Sequence, residues 1–140
     1  MNKRSGVEAT GLEGLTSPRI KWVAIANPAH APYGVAAMEA LKSVGLWDEI
    51  KPKLVYGENV RQTLQFIQTG NAQAGIVALS IADVPEVSFT LVDQKLHNPI
   101  RQAAAVVKGA KNESAARAFI KYVNGPKGRP VMEKYGFTVP

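Results

Sequence analysis

The spacing of apolar residues changes several times along this chain. Residues 21–26 form a short apolar run that stops at Asn27, which predicts a buried strand closed by a turn. Over residues 33–44 apolar side chains instead recur every three positions, and Gly45 follows, so the sequence predicts an amphipathic helix entered through Pro32. The recurring residues are Val35, Met38, Leu41 and Val44.

The same alternation of strand and helix patterns then repeats. Residues 54–56 predict a second strand, and Asn59 with Gln62 fits the start of a helix that ends at Gly70. Residues 74–79 are again a continuous apolar run of strand length. Strands that alternate with helices at this spacing predict an α/β fold, with a mainly parallel sheet flanked by helices. The apolar face of the second helix carries Val60, Leu64 and Ile67.

The last third of the chain predicts more strands and two helices. Residues 87–91 alternate apolar and polar positions, as an edge strand does, and residues 102–107 predict one further strand. A helix is expected to start near Asn112, with Ala116, Phe119, Ile120 and Val123 along its apolar side. A short final helix is expected to end at Tyr135, and Pro130 would break one of its backbone bonds unless the helix starts late.

Composition narrows the class of protein. The 140 residues are 46% hydrophobic and 20% charged, which is typical of one globular domain. The chain has no cysteine, which excludes disulfides, thiolate metal sites and thiol nucleophiles. The net charge of +6 favours anionic partners, namely nucleic acid, acidic lipid or a small oxyanion. Because the lysines and arginines are dispersed, the sequence predicts no nucleic-acid site.

Signatures of catalysis and of metal binding are missing from the sequence. His30 and His97 are the only histidines and lie far apart, so no metal site is expected. Ser80 follows a predicted strand, but no base and orienting acid accompany it as they do in nucleophilic enzymes. The sequence therefore predicts neither an enzyme nor a cofactor.

The loops that follow the strands are the candidate site. In open α/β sheets ligands bind beyond the carboxyl ends of the strands, which here are residues 27–33, 57–59 and 79–82. The first of these loops leads into a helix start, where unpaired N–H groups and the positive end of the helix dipole suit an anion. The alternative is an ordinary strand-to-helix turn whose N–H groups face water, and the residues alone leave both readings open.

Several segments resemble the substrate-binding protein of molybdate ABC transporters. They include ANPAHAPYG at residues 26–34, KLVYGENV at 53–60 and GIVALS at 75–80. Later segments that resemble the same family are HNPIRQ at 97–102 and EKYGF at 133–137. The resemblance keeps its order and spacing from about residue 11 to residue 137.

This resemblance implies a type II periplasmic binding protein, in which two α/β lobes close on molybdate or tungstate through neutral hydrogen-bond donors. It assigns the ligand contacts to the backbone amides of Tyr33 and Val77, with Gly34 and Ser80 beside them. Gln102 stands where some members place a tyrosine from the returning hinge strand. The bound metal belongs to the oxyanion, so no metal-ligating residues are implied.

The resemblance also predicts how the chain is divided. Residues 1–18 are an opening loop, residues 19–92 the inserted lobe, and residues 93–140 the hinge return strand and helices of an incomplete second lobe. The family's first ligand segment would precede this chain, so part of the oxyanion cage is expected to be missing. The function implied is that of a solute-binding component of an ABC transporter, or a truncated relative with weakened binding. The alternative is a stand-alone interaction or oligomerisation module that binds no molybdate.

Partners and location follow from the same reading. A small oxyanion and an ABC permease are the implied partners. Apolar side chains around Phe119 would be left partly uncovered, which predicts a homo-oligomer, with packing of the tail onto the remaining lobe as the alternative. The resemblance implies a periplasmic protein. No apolar run follows Lys3 and Arg4, so the sequence predicts no signal peptide, and a cytoplasmic location if the chain is complete as given.

Overall fold

The computed structural model describes residues 1–8 and 10–139, which form two compact units, Met1–Ile100 and Arg101–Pro140. The first unit is built on a parallel sheet with the strand order β2-β1-β3. Its strands are β1 (Val23–Ala26), β2 (Leu54–Gly57) and β3 (Ala74–Ile76). The predicted α/β fold with a parallel sheet is therefore confirmed.

Helices connect the strands of the first unit and make up most of the regular structure of the second. The first unit contains α1 (Pro32–Ser43), α2 (Trp47–Ile50), α3 (Val60–Gln68) and α4 (Leu79–Ala82). The second unit contains α5 (Glu113–Val123) and α6 (Arg129–Lys134). Short 3-10 segments lie at Lys3–Ser5, Glu13–Thr16, Lys51–Lys53 and Gln94–Leu96.

Helix α1 ends where the sequence predicts. Gly45 has a φ of 72° and its amide donates to the carbonyl of Lys42 at 3.0 Å. The amide of Leu46 donates to the carbonyl of Leu41 at 2.8 Å, which completes a Schellman turn. Only glycine adopts this left-handed conformation without steric cost, so Gly45 terminates the helix.

The face that α1 buries differs from the predicted one. Leu41 is fully buried as expected, but Val35, Met38 and Val44 are only half-buried. The remaining buried positions of the helix are small residues, because a small side chain lets the helix axis approach the sheet closely. They are Gly34, Ala36, Ala37 and Ala40.

Helix α3 begins with the predicted cap. The side-chain oxygen of Asn59 accepts a hydrogen bond from the amide of Gln62 at 3.0 Å. The Gln62 side chain in turn accepts from the amide of Glu58 at 2.6 Å, one residue earlier than in the usual capping box. The helix ends at Gln68, and Gly70 follows with a φ of 81°. Both predicted ends of this helix are confirmed.

The core of the first unit surrounds β1, all of whose residues are buried. Hydrophobic side chains from the leading segment join this core, although the sequence predicts little more than a loop there. Residue 9 lies outside the described residues. The contributors from this segment are Val7, Leu12 and Leu15, and they pack with Ile20, Leu41 and Ile50.

Strand β3 is shorter than predicted. Its ladder with β1 ends at the pair Ile25 and Ile76, and Ile76 is the last residue of the strand. The predicted strand includes Leu79, but in the structure this residue begins α4 (Leu79–Ala82).

The two later strand predictions are wrong. Within residues 87–91, Val87 makes one isolated antiparallel bridge to Asn2, and the pairing stops because the partner segment turns into a 3-10 helix. Residues 102–107 are not a strand, and the described part of the second unit contains no strand with which they could pair. An alternating pattern predicts which side of a strand would be buried, but a strand also needs a partner.

The two helices of the second unit begin as expected. Asn112 precedes α5, and Pro130 lies in the first turn of α6, where its missing N–H removes no helical hydrogen bond. Phe119 is 67% exposed, so the predicted uncovered apolar surface is confirmed at this residue. Within residues 1–8 and 10–139, no helix is both long and apolar enough to span a bilayer.

Candidate functional site

Three loops leave the same edge of the sheet in the first unit. Because β1, β2 and β3 are parallel, their carboxyl ends lie together. The segments that follow them are residues 27–31, 58–59 and 77–78. Ligands bind at this edge in open α/β sheets.

The first turn of α1 packs directly on the end of β1. A Cβ atom on Gly34 would lie 2.1 Å from the carbonyl oxygen of Ala26 and 2.8 Å from the nitrogen of Pro28. Real Cβ atoms do not approach backbone atoms so closely, so any side chain at this position would push the helix away. Gly34 therefore holds the helix start against the strand end.

The end of β3 lies at the same carboxyl edge of the sheet. Ile25 and Ile76 are the last pair of the ladder, so Ala26 and Val77 each follow directly after it at the carboxyl edge. Gly34 packs on Ala26 from the helix side. The structure thus brings together three of the residues singled out from the sequence, which are Tyr33, Gly34 and Val77.

Several backbone amides at this edge, among them those of Tyr33 and Val77, make no hydrogen bond within the described residues. Neither of these two amides donates to an acceptor among the described residues. The amide of Gly34 is already used, because it donates to the carbonyl of Ala31 at 2.9 Å. Pro32 at the first position of the helix has no amide hydrogen. The Tyr33 amide is therefore a free donor at the positive end of α1.

The other two predicted site residues occupy different positions. Ser80 lies in α4, three residues after Val77, and is half-buried. Its hydroxyl has no hydrogen-bond partner within the described part of the chain. Gln102 is exposed and belongs to the second unit. The site described here is consequently built from the first unit alone.

Asn27 shapes the loop between β1 and α1. Its side-chain oxygen accepts from the amide of Ala29 at 3.0 Å, and its carbonyl accepts from the amide of Ala31 at 2.9 Å. Its own amide donates to the carbonyl of Gly57 at 2.8 Å, which ties the loop to the end of β2. From the sequence, Asn27 marks only a turn, although an Asn-Pro pair also signals such an Asx turn.

His30 makes a contact that the sequence did not reveal. Its Nε2 atom lies 3.1 Å from the carbonyl oxygen of Glu58 and 3.4 Å from that residue's carboxylate. The side chain is 47% exposed, in agreement with its interpretation as a surface histidine. No pattern in the sequence pairs residues 30 and 58, because the contact depends on the order of the strands.

The donors at this edge are neutral. In the described residues every buried side-chain nitrogen and oxygen has a hydrogen-bond partner. No group of three metal-ligating side chains occurs there either. Free backbone amides with a nearby hydroxyl suit an anion that is held by hydrogen bonds.

The first unit thus has the fold of an α/β lobe with a three-stranded parallel sheet. Residues 1–138 match the model of the bacterial extracellular solute-binding protein family, and the chain belongs to that family. The structure of the Azotobacter vinelandii periplasmic molybdate-binding protein is similar, with a TM-score of 0.80 and 27% identity over 96% of this chain and 60% of that one.

Curated relatives agree with this assignment. The molybdate-binding protein ModA of Rhodobacter capsulatus is 37% identical over 120 residues, which cover 85% of this chain and 48% of that protein. ModA of Azotobacter vinelandii is 41% identical over 121 residues, which cover 84% of this chain and 48% of the relative. The chain thus spans about half the length of the curated relatives it matches.

Proposed function

We propose that this chain binds molybdate or tungstate as the solute-binding component of an ABC transporter. The observation that carries the proposal is that the amides of Tyr33 and Val77, at the carboxyl edge of the sheet, are free in a chain similar to molybdate-binding proteins. Both amides lie at the edge where α/β sheets bind ligands.

A small set of neutral donors is enough for such binding. A hydrogen bond to a charged group contributes about 1.5–3 kcal/mol, so several that converge give useful affinity without a counter-charge. Ser80 adds a hydroxyl to the amides of Tyr33 and Val77. Gly34 contributes by its missing side chain, which lets the helix start come close.

The wider roles of the chain follow from the same proposal. It binds and releases the oxyanion without chemical change, so it is not an enzyme, and it delivers the ligand to a membrane permease in the periplasm. Residues 19–92 form one lobe, and residues 93–140 contribute to the other.

The alternative is an interaction module, and it is favoured by one observation, the exposure of Phe119 and Tyr122 on α5. Self-association through this helix would appear by light scattering at high concentration, whereas a clean monomer would contradict it.

Calorimetric titration with molybdate, tungstate and sulfate tests the proposed binding. We expect micromolar or tighter binding of molybdate and tungstate, which corresponds to about 8 kcal/mol or more. Absence of heat with all three anions would contradict the proposal and favour the interaction module.

Proline variants separate the backbone amides from their side chains. Val77→Pro removes an N–H that has no partner among the described residues, and Ile76 before it is already in a strand, the conformation that a following proline prefers. Val77→Ala is the matched control, since it keeps the amide. We expect Val77→Pro to weaken molybdate binding roughly 10-fold or more and Val77→Ala to change it little. Equal affinities for the two variants would exclude the amide as a ligand.

A further inference from the structure

Two contacts join the loops that follow β1 and β2. The amide of Asn27 donates to the carbonyl of Gly57 at 2.8 Å, and this bond continues the pairing of the strands. The second contact is made by the side chain of His30, which reaches Glu58, the residue directly after Gly57. His30 is three residues before Tyr33, whose amide is free, so this contact acts on the segment that leads into the helix start.

The surroundings of the imidazole identify which nitrogen carries hydrogen. Nε2 faces two oxygens of Glu58, the carbonyl at 3.1 Å and a carboxylate oxygen at 3.4 Å. Both oxygens are acceptors, so a bare nitrogen lone pair would be repelled by each of them. Nε2 is therefore the protonated atom, and it donates to the carbonyl of Glu58.

Glu58 is held from two sides as a result. Its amide donates to the side chain of Gln62 on α3 at 2.6 Å, while its carbonyl receives the His30 hydrogen. The carboxylate is 72% exposed, and exposed ion pairs contribute little, so the carbonyl bond is the stronger part of the contact. Through this residue, the start of α3 is tied to the loop that precedes α1.

We propose that His30 is a positioning residue for oxyanion binding, through a clasp in which its Nε2–H holds the Glu58 carbonyl. The inference rests on the proposed function, since it assigns the clasp to that same site. The loop between β1 and α1 is already ordered internally by Asn27. The clasp fixes this ordered loop against the loop between β2 and α3, so that the Tyr33 amide is in place before the anion arrives. Binding then costs less conformational entropy, because the loop is already ordered.

The test compares His30→Ala with His30→Gln by calorimetric titration with tungstate. Loss of one hydrogen bond of this kind is expected to weaken tungstate binding by about 3- to 10-fold in His30→Ala. His30→Gln retains an N–H donor and is expected to recover most of that loss. The proposal is overturned if His30→Ala binds as tightly as the native protein, or if His30→Gln binds no better than His30→Ala.

Glu58→Ala tests which oxygen is the partner. This variant keeps the backbone carbonyl and removes both carboxylate oxygens, so the loss of tungstate affinity should be clearly smaller than in His30→Ala. An equal loss would assign the contact to the carboxylate and contradict a carbonyl clasp.

Amide hydrogen exchange without ligand separates failure of the clasp from failure of the proposed function. The Asn27 amide, which bridges the same two loops, should exchange about 3- to 10-fold faster in His30→Ala than in the native protein and in His30→Gln. If the native protein binds no oxyanion, the proposed function fails, and this exchange rate still decides the clasp. Unchanged exchange in His30→Ala would rule the clasp out.

Discussion

The two units of the chain carry helices of similar pattern but bury them differently. Helix α3 in the first unit and α5 in the second both place apolar residues along one side. Leu64 and Ile67 of α3 are buried against the sheet, whereas none of the residues described in α5 or α6 is buried. An amphipathic pattern therefore shows which face of a helix is suited to burial, while a neighbouring surface decides whether that face is covered.

The largest effect expected from this difference concerns two apolar truncations. Leu41→Ala removes a fully buried side chain of the first unit and is expected to lower the free energy of unfolding by about 2–5 kcal/mol. Phe119→Ala removes a larger but 67% exposed side chain of the second unit, and its effect should stay within about 0.5 kcal/mol. Urea denaturation of the whole chain measures both changes.

This comparison fails if Phe119→Ala is as destabilising as Leu41→Ala. That result would mean that Phe119 is covered in solution, and the concentration dependence of the unfolding midpoint would then distinguish a second copy of the chain from another covering surface. If the midpoint of the native protein rises with protein concentration and that of Phe119→Ala does not, self-association covers this residue.

A smaller effect is expected at the helix starts. Asn59 caps α3 with a side-chain hydrogen bond, whereas Asn112 precedes α5 without one. Asn59→Ala should therefore cost about 1 kcal/mol of stability, because it leaves the Gln62 amide without its acceptor. Asn112→Ala is the matched variant in the second unit, and it should lower the stability by only a few tenths of a kcal/mol. Equal losses measured by denaturation would show that the Asn112 side chain also caps its helix in solution.

These two helix starts show how far the sequence can be interpreted. The residues at Asn59 and Gln62 predicted a cap, and local geometry alone was enough to form it. At Asn112 the helix start is also where the sequence predicts it, but the capping bond is absent because it depends on the backbone conformation before the helix. Local signals thus predict where elements begin and end better than which side-chain contacts they make.

Strands and site contacts that depend on pairing between distant residues could not be predicted from the sequence. Residues 102–107 have a strand-like composition, but among the described residues they have no partner, so their pattern predicts a strand that does not form. The contact between His30 and Glu58 requires the strand order β2-β1-β3, which the residues do not encode locally. In contrast, the position of Tyr33 at a helix start could be predicted, since Pro32 and the preceding turn mark it.

The smallest effect concerns pH and the last residues of the first unit. Glu39 on α1 accepts hydrogen bonds from the amide of Asn98 at 2.8 Å and from its side chain at 3.0 Å. These bonds, the backbone one first, favour the charged form and hold the pKa of Glu39 below its ordinary value of 4.5. Because the pKa is lowered in the folded state, the contact is present at neutral pH and is lost as the pH falls through that lowered value.

The Asn98 amide resonance in NMR spectra should report this change in an acid titration. Its chemical shift is expected to move with a midpoint below 4.5, and Glu39→Gln should abolish the transition. Ser43→Ala is the matched control, since it removes a neighbouring hydrogen bond to the carbonyl of Leu96 at 2.7 Å but no titrating group. The transition should therefore survive in Ser43→Ala. A midpoint at or above 4.5 in the native protein would mean that Asn98 does not hold the carboxylate in solution, and that α1 anchors this segment through Ser43 alone.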